Sequence, residues 1–175
     1  MFLDRDGVLN RTEVRDGMPR PPTDVSQLVI LPGVMEGCRS LREEGWLLVM
    51  VTNQPDVQRG RLRRADVEEI NARLRELLAL DDVRVCYHVD TDGCRCRKPE
   101  PGMLLEAAAA FDVDLATSFM IGDRWRDVEA GRRAGCRTVL VGPGYAERER
   151  VLADLRAPSF TEAVAWIRQQ TAEES

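Results

Sequence analysis

Lysine and histidine are almost missing from this chain: 175 residues contain one of each, Lys98 and His88. The other 24 of its 25 lysine-plus-arginine side chains are arginine, the pattern of codon bias in a GC-rich genome. A lysine that survives where arginine is the easy choice is therefore informative. No apolar run approaches the roughly 18 residues of a membrane span. The N-terminus "MFLDRDGVLN" carries aspartates where a signal peptide would be apolar. These absences point to a cytoplasmic protein with no membrane partner. No basic block interrupts the spread of a net charge of −5, which argues against nucleic acid as a main partner. There is no repeat, low-complexity tract or linker. What is there is ordinary for a globular chain, 43% hydrophobic and 31% charged, of a length that suits one domain over 1–175. No long unpaired apolar face stands out, so a monomer is expected. In a reducing compartment, a close cysteine cluster reads as a metal site rather than a disulfide framework.

Short apolar runs alternate with helix-period segments. "MFLD" is read as a first strand, followed by "LLVMV" (47–51), "VRVCYH" (83–88), "SFMIG" (118–122) and "RTVLV" (137–141). Helices are expected over 33–44, 65–78, 101–111, 124–134 and near 161–169, the second with Val67, Ile70, Leu74, Leu77 and Leu78 on one face. Alternation of continuously apolar strands with helices predicts an α/β, Rossmann-like, doubly wound parallel sheet. The stretch "GMPRPPTDVSQL" (17–28) is expected to be a loop within a surface flap over 7–32, because Pro19, Pro21 and Pro22 resist both helix and central strand. The first strand has about three residues where five or six are typical, which points to a residue or two missing ahead of Met1. Trp46 and Trp166 are expected as core anchors, and Cys38 and Cys136 as ordinary core residues.

In such a sheet, ligands sit outside the carboxyl ends of the strands. Asp4 and Asp6 leave the first strand, Thr52 and Asn53 the second, and Asp123 the fourth. A carboxylate at a strand tip, Asp4, can attack phosphorus and form an acyl phosphate. Asp6, two residues on, points to the same side; it can protonate a departing alkoxide and then deprotonate the water that ends the cycle. The Thr52 hydroxyl and nearby N–H groups suit phosphate oxygens, and Lys98 offers a compact positive charge. Asp4, the Asp6 carbonyl and Asp123 suit Mg²⁺, with Asp127 one helical turn further on. The competing structural readings are a turn cap for Thr52 and a helix N-cap for Asp123. The stretch "CYHVDTDGCRCRKP" holds Cys86-x-His88-x5-Cys94-x-Cys96, three thiols and an imidazole suited to a structural, tetrahedral Zn²⁺. That zinc loop (86–97) would pin the backbone that carries Arg97 and Lys98.

Asp4-x-Asp6, Thr52, Lys98 and Gly122-Asp123-x-x-x-Asp127 resemble the four motifs of the haloacid dehalogenase superfamily of phosphotransferases, over residues 2 to about 142. Asp at position 6 resembles its phosphatase branch. The resemblance implies a capless site, since neither 7–32 nor 53–80 has room for a large cap, and a small phosphorylated metabolite as substrate. "FLDRDG", "TNQ", the cysteine–histidine loop with "RKP", and "GDR" resemble a subgroup that hydrolyses either heptose bisphosphate or histidinol phosphate. "TNQ" with Arg59-Gly60 and "CRKPEPGM" look like the heptose enzymes; the short zinc loop and "IGDR" look like the histidinol ones. The resemblance implies that Asn53, Arg97 and Arg124 meet the substrate, with Arg97 at its distal part, while Arg15 and Arg59 are extra cations suited to a bisphosphate. A zinc-stabilised binding module without turnover is the reading from a different class; loss of Asp4, Asp6 or Lys98 would have favoured it.

Overall fold

The short first strand is anchored at both ends. In the computed structural model, which describes residues 1–15, 18–142 and 152–173, the Met1 carbonyl accepts from Val49 N–H and Asp4 N–H donates to Ile121 O, each at 2.9 Å. Sheet pairing thus runs right up to Asp4, although the strand itself, β1, is only Phe2–Leu3.

The chain continues through a hairpin of β2 (Glu13–Arg15) and β3 (Met18–Arg20), then α1 (Val34–Glu43), β4 (Val49–Asn53), α2 (Arg64–Leu78) and β5 (Asp82–Cys86). It closes with α3 (Gly102–Phe111), β6 (Phe119–Gly122), α4 (Trp125–Ala134), β7 (Arg137–Val141), β8 (Leu155–Ala157) and α5 (Phe160–Glu173). Six strands form one sheet in the order β5-β4-β1-β6-β7-β8, every pair parallel. From β1 the chain winds outward to β4 and β5, then returns across β1 to β6. That reversal opens a crevice at the carboxyl ends of β1, β4 and β6.

Alternation along the strands feeds two cores. Leu3, Met50, Phe119 and Ile121 face the core shared with α1, α2 and α5, while Phe2, Val49, Val51 and Met120 face the one under α3 and α4. Helical spacing brings Ile70, Leu74 and Leu78 of α2 into the first core and buries Val67 on the same helix. Each fully buried Leu or Ile there contributes about 2 kcal/mol. Trp46 and Trp166 pack edge-on against Phe119 at 5.8 and 6.0 Å, as anchors of that core. Cys38 and Cys136 are buried. On the other face, α4 lies close enough that a Cβ on Gly131 would meet Met120 Cβ at 2.7 Å and Thr138 Cγ2 at 2.8 Å.

The apolar runs locate the strands but misjudge their ends. The run at 47–51 becomes Val49–Asn53, because Thr52 and Asn53 still pair with Val85 and Cys86; strand tips that carry a site are polar and pattern does not reveal them. The run at 83–88 shifts to Asp82–Cys86, and Tyr87 and His88 leave the ladder. The last helix runs on to Glu173. β8 was not expected: it has three residues, one of them the exposed Arg156. The segment expected to be loop contains β3, with Pro19 opposite Val14, and a 3₁₀ turn over Val25–Gln27. A two-stranded ribbon has open edges, where a residue without an N–H is tolerated. Residues 16 and 17 of the expected flap lie outside the described residues. Between β4 and α2 the chain has only turns, so among the described residues no cap is inserted at either position. None of the described helices is long and apolar enough to cross a membrane.

Candidate active site

Three strand ends converge on one lysine. Lys98 is 1% exposed, and its Nζ donates to Asp4 Oδ1 (2.6 Å) and Val51 O (2.8 Å) and pairs with Asp127 Oδ1 (2.6 Å). Three protons meet three acceptors, which a planar guanidinium could not do from the same point. Burial pulls the Lys98 ammonium down, but the carboxylates of Asp127 and Asp4 outweigh it and hold the group above its ordinary value, so it stays charged. Asp4 is pushed up to about 7, first by burial and then by the Asp127 and Asp6 carboxylates, against the pull of Lys98.

Asp4, Asp123 and Asp127 each place a carboxylate oxygen within 4.8 Å of the others, and all three are buried. Three buried carboxylates around one ammonium are short of positive charge, and hard oxygen donors in that number fit a divalent cation. Asp127 is the least available of the three. Its Oδ1 holds Lys98 and its Oδ2 accepts the Arg124 N–H at 3.0 Å, capping α4. Asp123 is not the cap: Arg124 occupies that position. A Cβ on Gly122 would collide with the Asp127 side chain at 2.0 Å, so the glycine before Asp123 is what lets Asp127 reach the lysine.

Asp6 lines the same cavity as this cluster but is held by its own set of donors. Its Oδ2 accepts from Arg5 Nη2 (2.9 Å), Arg5 Nε (3.1 Å) and Gln54 Nε2 (2.7 Å), and its Oδ1 from Asn10 Nδ2 (3.0 Å). The side chain therefore leaves the Asp6 carbonyl, not its carboxylate, to serve a metal. Thr52 is buried and its Oγ1 accepts from the same Gln54 Nε2 at 2.9 Å. Asn53, expected at the substrate, lines the cavity above the cluster. Its amide also donates to Lys98 O (3.0 Å) while its Oδ1 accepts Lys98 N–H (3.1 Å), which holds the lysine's backbone in place.

The stretch leading to Lys98 is itself clamped. Among Cys86, His88, Cys94 and Cys96, five of the Sγ and Nδ1 separations lie between 3.1 and 3.7 Å. Edges of about 3.5–3.8 Å follow from zinc bonded to sulfur at about 2.3 Å and nitrogen at about 2.0 Å. The cluster thus has the size and donor chemistry of a closed tetrahedral site. Burial, then hydrogen bonding with Cys96, holds the Cys86 thiol well above its usual range, so a soft cation would have to displace protons to enter. Gly102 packs against the loop so tightly that a Cβ would stand 2.2 Å from Arg95 O.

Above these groups lies a cavity of about 290 Å³. Its lining includes Asp4, Asp6, Thr52, Asn53, Asp123, Asp127 and Lys98 together with Arg20, Arg59, Arg61, Arg97, Arg124 and Arg126. Arg97 is nearly enclosed, bonded to both Asp90 oxygens (3.1 and 3.3 Å) and to His88 O (3.2 Å). Arg126, which sequence reasoning passed over, also reaches Asp90 at 2.7 Å. Arg59 and Arg61 share Asp56 at 3.1 and 3.4 Å, and Arg15 falls in β2. Arg5, Asn10 and Gln54 were missed as well. Their only signal was position, beside Asp6 and two residues after Thr52.

The HAD-hydrolase-like family model matches residues 95–164. A D-glycero-beta-D-manno-heptose-1,7-bisphosphate 7-phosphatase from Bordetella bronchiseptica is 35% identical over 90% of this chain and 93% of its own. The chain belongs to the haloacid dehalogenase-like phosphatases. A relative of this enzyme from Pseudomonas aeruginosa with the same name is 37% identical over 85% of this chain and 83% of its own. One from Campylobacter jejuni, named for the alpha anomer, is 32% identical over 81% and 80%. The crystal structure of the B. bronchiseptica D,D-heptose 1,7-bisphosphate phosphatase, complexed with magnesium and phosphate, superposes with a TM-score of 0.83, at 30% identity, over 97% of this chain and 98% of that one.

Proposed function

We propose that the enzyme removes one phosphate from a small sugar bisphosphate, with the 7-phosphate of D-glycero-D-manno-heptose 1,7-bisphosphate as the leading candidate. The observation that carries this reading is the lining of one cavity: a buried carboxylate–lysine cluster suited to the reacting phosphate, with six arginines on the same lining that are candidates for a second anion. The names of the relatives support the same substrate. Histidinol phosphate, the alternative, has one phosphate and a protonated amine, which an arginine rim repels.

The roles follow from the geometry. Asp4 attacks phosphorus, and the ester P–O bond breaks as an acyl phosphate forms. Asp6 gives its proton to the departing alkoxide, then takes one from the water that attacks phosphorus and frees Asp4. Thr52 donates its hydroxyl to a phosphate oxygen, and Lys98 keeps a fixed charge beside Asp4. Asp4, Asp123 and the Asp6 carbonyl are the ligands we assign to Mg²⁺, which when bound neutralises charge on the phosphate oxygens. Cys86, His88, Cys94 and Cys96 are assigned to a structural Zn²⁺ that fixes Arg97 and Lys98.

The test is Mg²⁺-dependent phosphate release from heptose 1,7-bisphosphate and from histidinol phosphate in parallel, with Asp4→Asn as blank. A preference of about 100-fold or more in kcat/KM for the bisphosphate is expected, on the order of 3 kcal/mol. Preference for histidinol phosphate would overturn the substrate and show that zinc-loop length carries specificity.

A further inference from the structure

We infer that Gln54 is a positioning residue that sets the Thr52 hydroxyl and the Asp6 carboxylate at once. This rests on the roles given above to those two groups. Gln54 is 2% exposed, and its backbone N–H donates to Cys86 O at 2.7 Å, so its place at the end of β4 is fixed. Its Nε2 has two protons and two acceptors, Thr52 Oγ1 at 2.9 Å and Asp6 Oδ2 at 2.7 Å. The amide orientation is dictated, because a carboxylate only accepts and the nitrogen must face it.

Two consequences follow. A hydroxyl has one proton, and the side of Thr52 Oγ1 turned toward Gln54 is used in accepting. The Thr52 proton is thereby left for another partner, and Thr52 lines the cavity where phosphate would sit. At Asp6, Oδ2 meets three donors, one from Gln54 and two from Arg5, whereas among the described residues Oδ1 meets Asn10 alone. Proton exchange with the leaving group then belongs to Oδ1. Arg5, fully buried, continues the clamp by donating from Nη1 to Asn71 Oδ1 of α2 at 3.0 Å, so the orientation of Asp6 is tied to a helix rather than to a loop.

The leaving group provides the discriminating measurement. An alkyl phosphate needs a proton on the departing oxygen; p-nitrophenyl phosphate does not. In the full-length, metal-loaded enzyme, Gln54→Met keeps length and removes both donors. It should lower kcat on heptose 1,7-bisphosphate by about 10- to 100-fold, part of the 10²–10⁴-fold that general acid catalysis supplies. On p-nitrophenyl phosphate it should lower the rate of the p-nitrophenolate burst, which reports phosphorylation of Asp4 alone, by less than about 5-fold. Gln54→Glu, measured alongside in case the methionine variant does not fold, should show the same selective loss. It should also raise the inhibition constant for orthophosphate, because Thr52 would turn its proton to the new carboxylate. Asp6→Asn separates the two levels of the argument. If it spares the alkyl ester, the acid role of Asp6 is wrong. If it collapses that rate while the Gln54 variants leave the alkyl-to-aryl ratio unchanged, Gln54 only fills space and the inference is overturned.

Discussion

Two clusters of ligand-type side chains meet around Lys98, one through space and one through the chain, and they are built in opposite ways. The cysteine–histidine cluster comes from eleven consecutive residues, Cys86 to Cys96, so one loop closes on itself. The carboxylate cluster of Asp4, Asp123 and Asp127 comes from residues more than a hundred positions apart, gathered because β1 and β6 are neighbours in the sheet. The local cluster is closed, with its donors turned toward one another. The non-local one opens onto a cavity. A site that only has to hold can be local; a site that must admit a substrate and stay rigid is better supported by the ends of buried strands.

The comparison breaks most directly at Asp4. Asp4→Asn should reduce turnover on the order of 10⁴-fold or more, as for loss of other nucleophiles, while zinc content stays at one ion per chain. Residual activity near wild type would mean the carboxylate cluster is not the reacting one. Next in size, Lys98→Arg should cost about 10²- to 10³-fold in kcat, because a planar fork cannot meet Asp4, Asp127 and Val51 O together. A wild-type rate would remove that geometric argument.

Cys94→Ser tests the other cluster. Zinc content should fall, with stability lower by about 3 kcal/mol, roughly 10 °C in melting temperature for a chain of this size. Activity should fall with it, through Arg97 and Lys98; full activity without zinc would show that the loop holds itself.

The smallest effect is electrostatic. Asp4 is raised from 3.8 to about 7 in the fold. Such a group favours the folded state fully when protonated, below its unfolded value, and loses that contribution as pH rises through about 7. Without magnesium the melting temperature should therefore drop by a few degrees more between about pH 6 and pH 8 in the wild type than in Asp4→Asn. Magnesium, which favours the ionised carboxylate, should remove the difference. Equal slopes in differential scanning fluorimetry would show that the carboxylate cluster is not strained by its own charge.

Much of this was determined by the sequence alone. Apolar runs marked five of the six strands of the sheet, β1, β4, β5, β6 and β7, because a strand buried on both faces must be continuously apolar. Helical spacing marked all five helices. Aspartates and threonine stood out because each was read at a strand end, and Lys98 because it is the one lysine of the chain. The cysteine–histidine cluster was legible because its members are close in the chain and chemically distinctive. Tertiary structure alone decided the rest. Strand tips, β8 and the hairpin are short or polar, so no hydrophobic period reveals them. Arg5, Gln54 and Asn71 look like surface residues by type; only the parallel register of β1, β4 and β5 and the packing of α2 bury them, and burial makes their hydrogen bonds obligatory. Only the fold shows that Asn53 and Asp127, both on the cavity lining, also hold Lys98, because a buried ammonium and its backbone must be held by groups whose placement depends on which strands are neighbours.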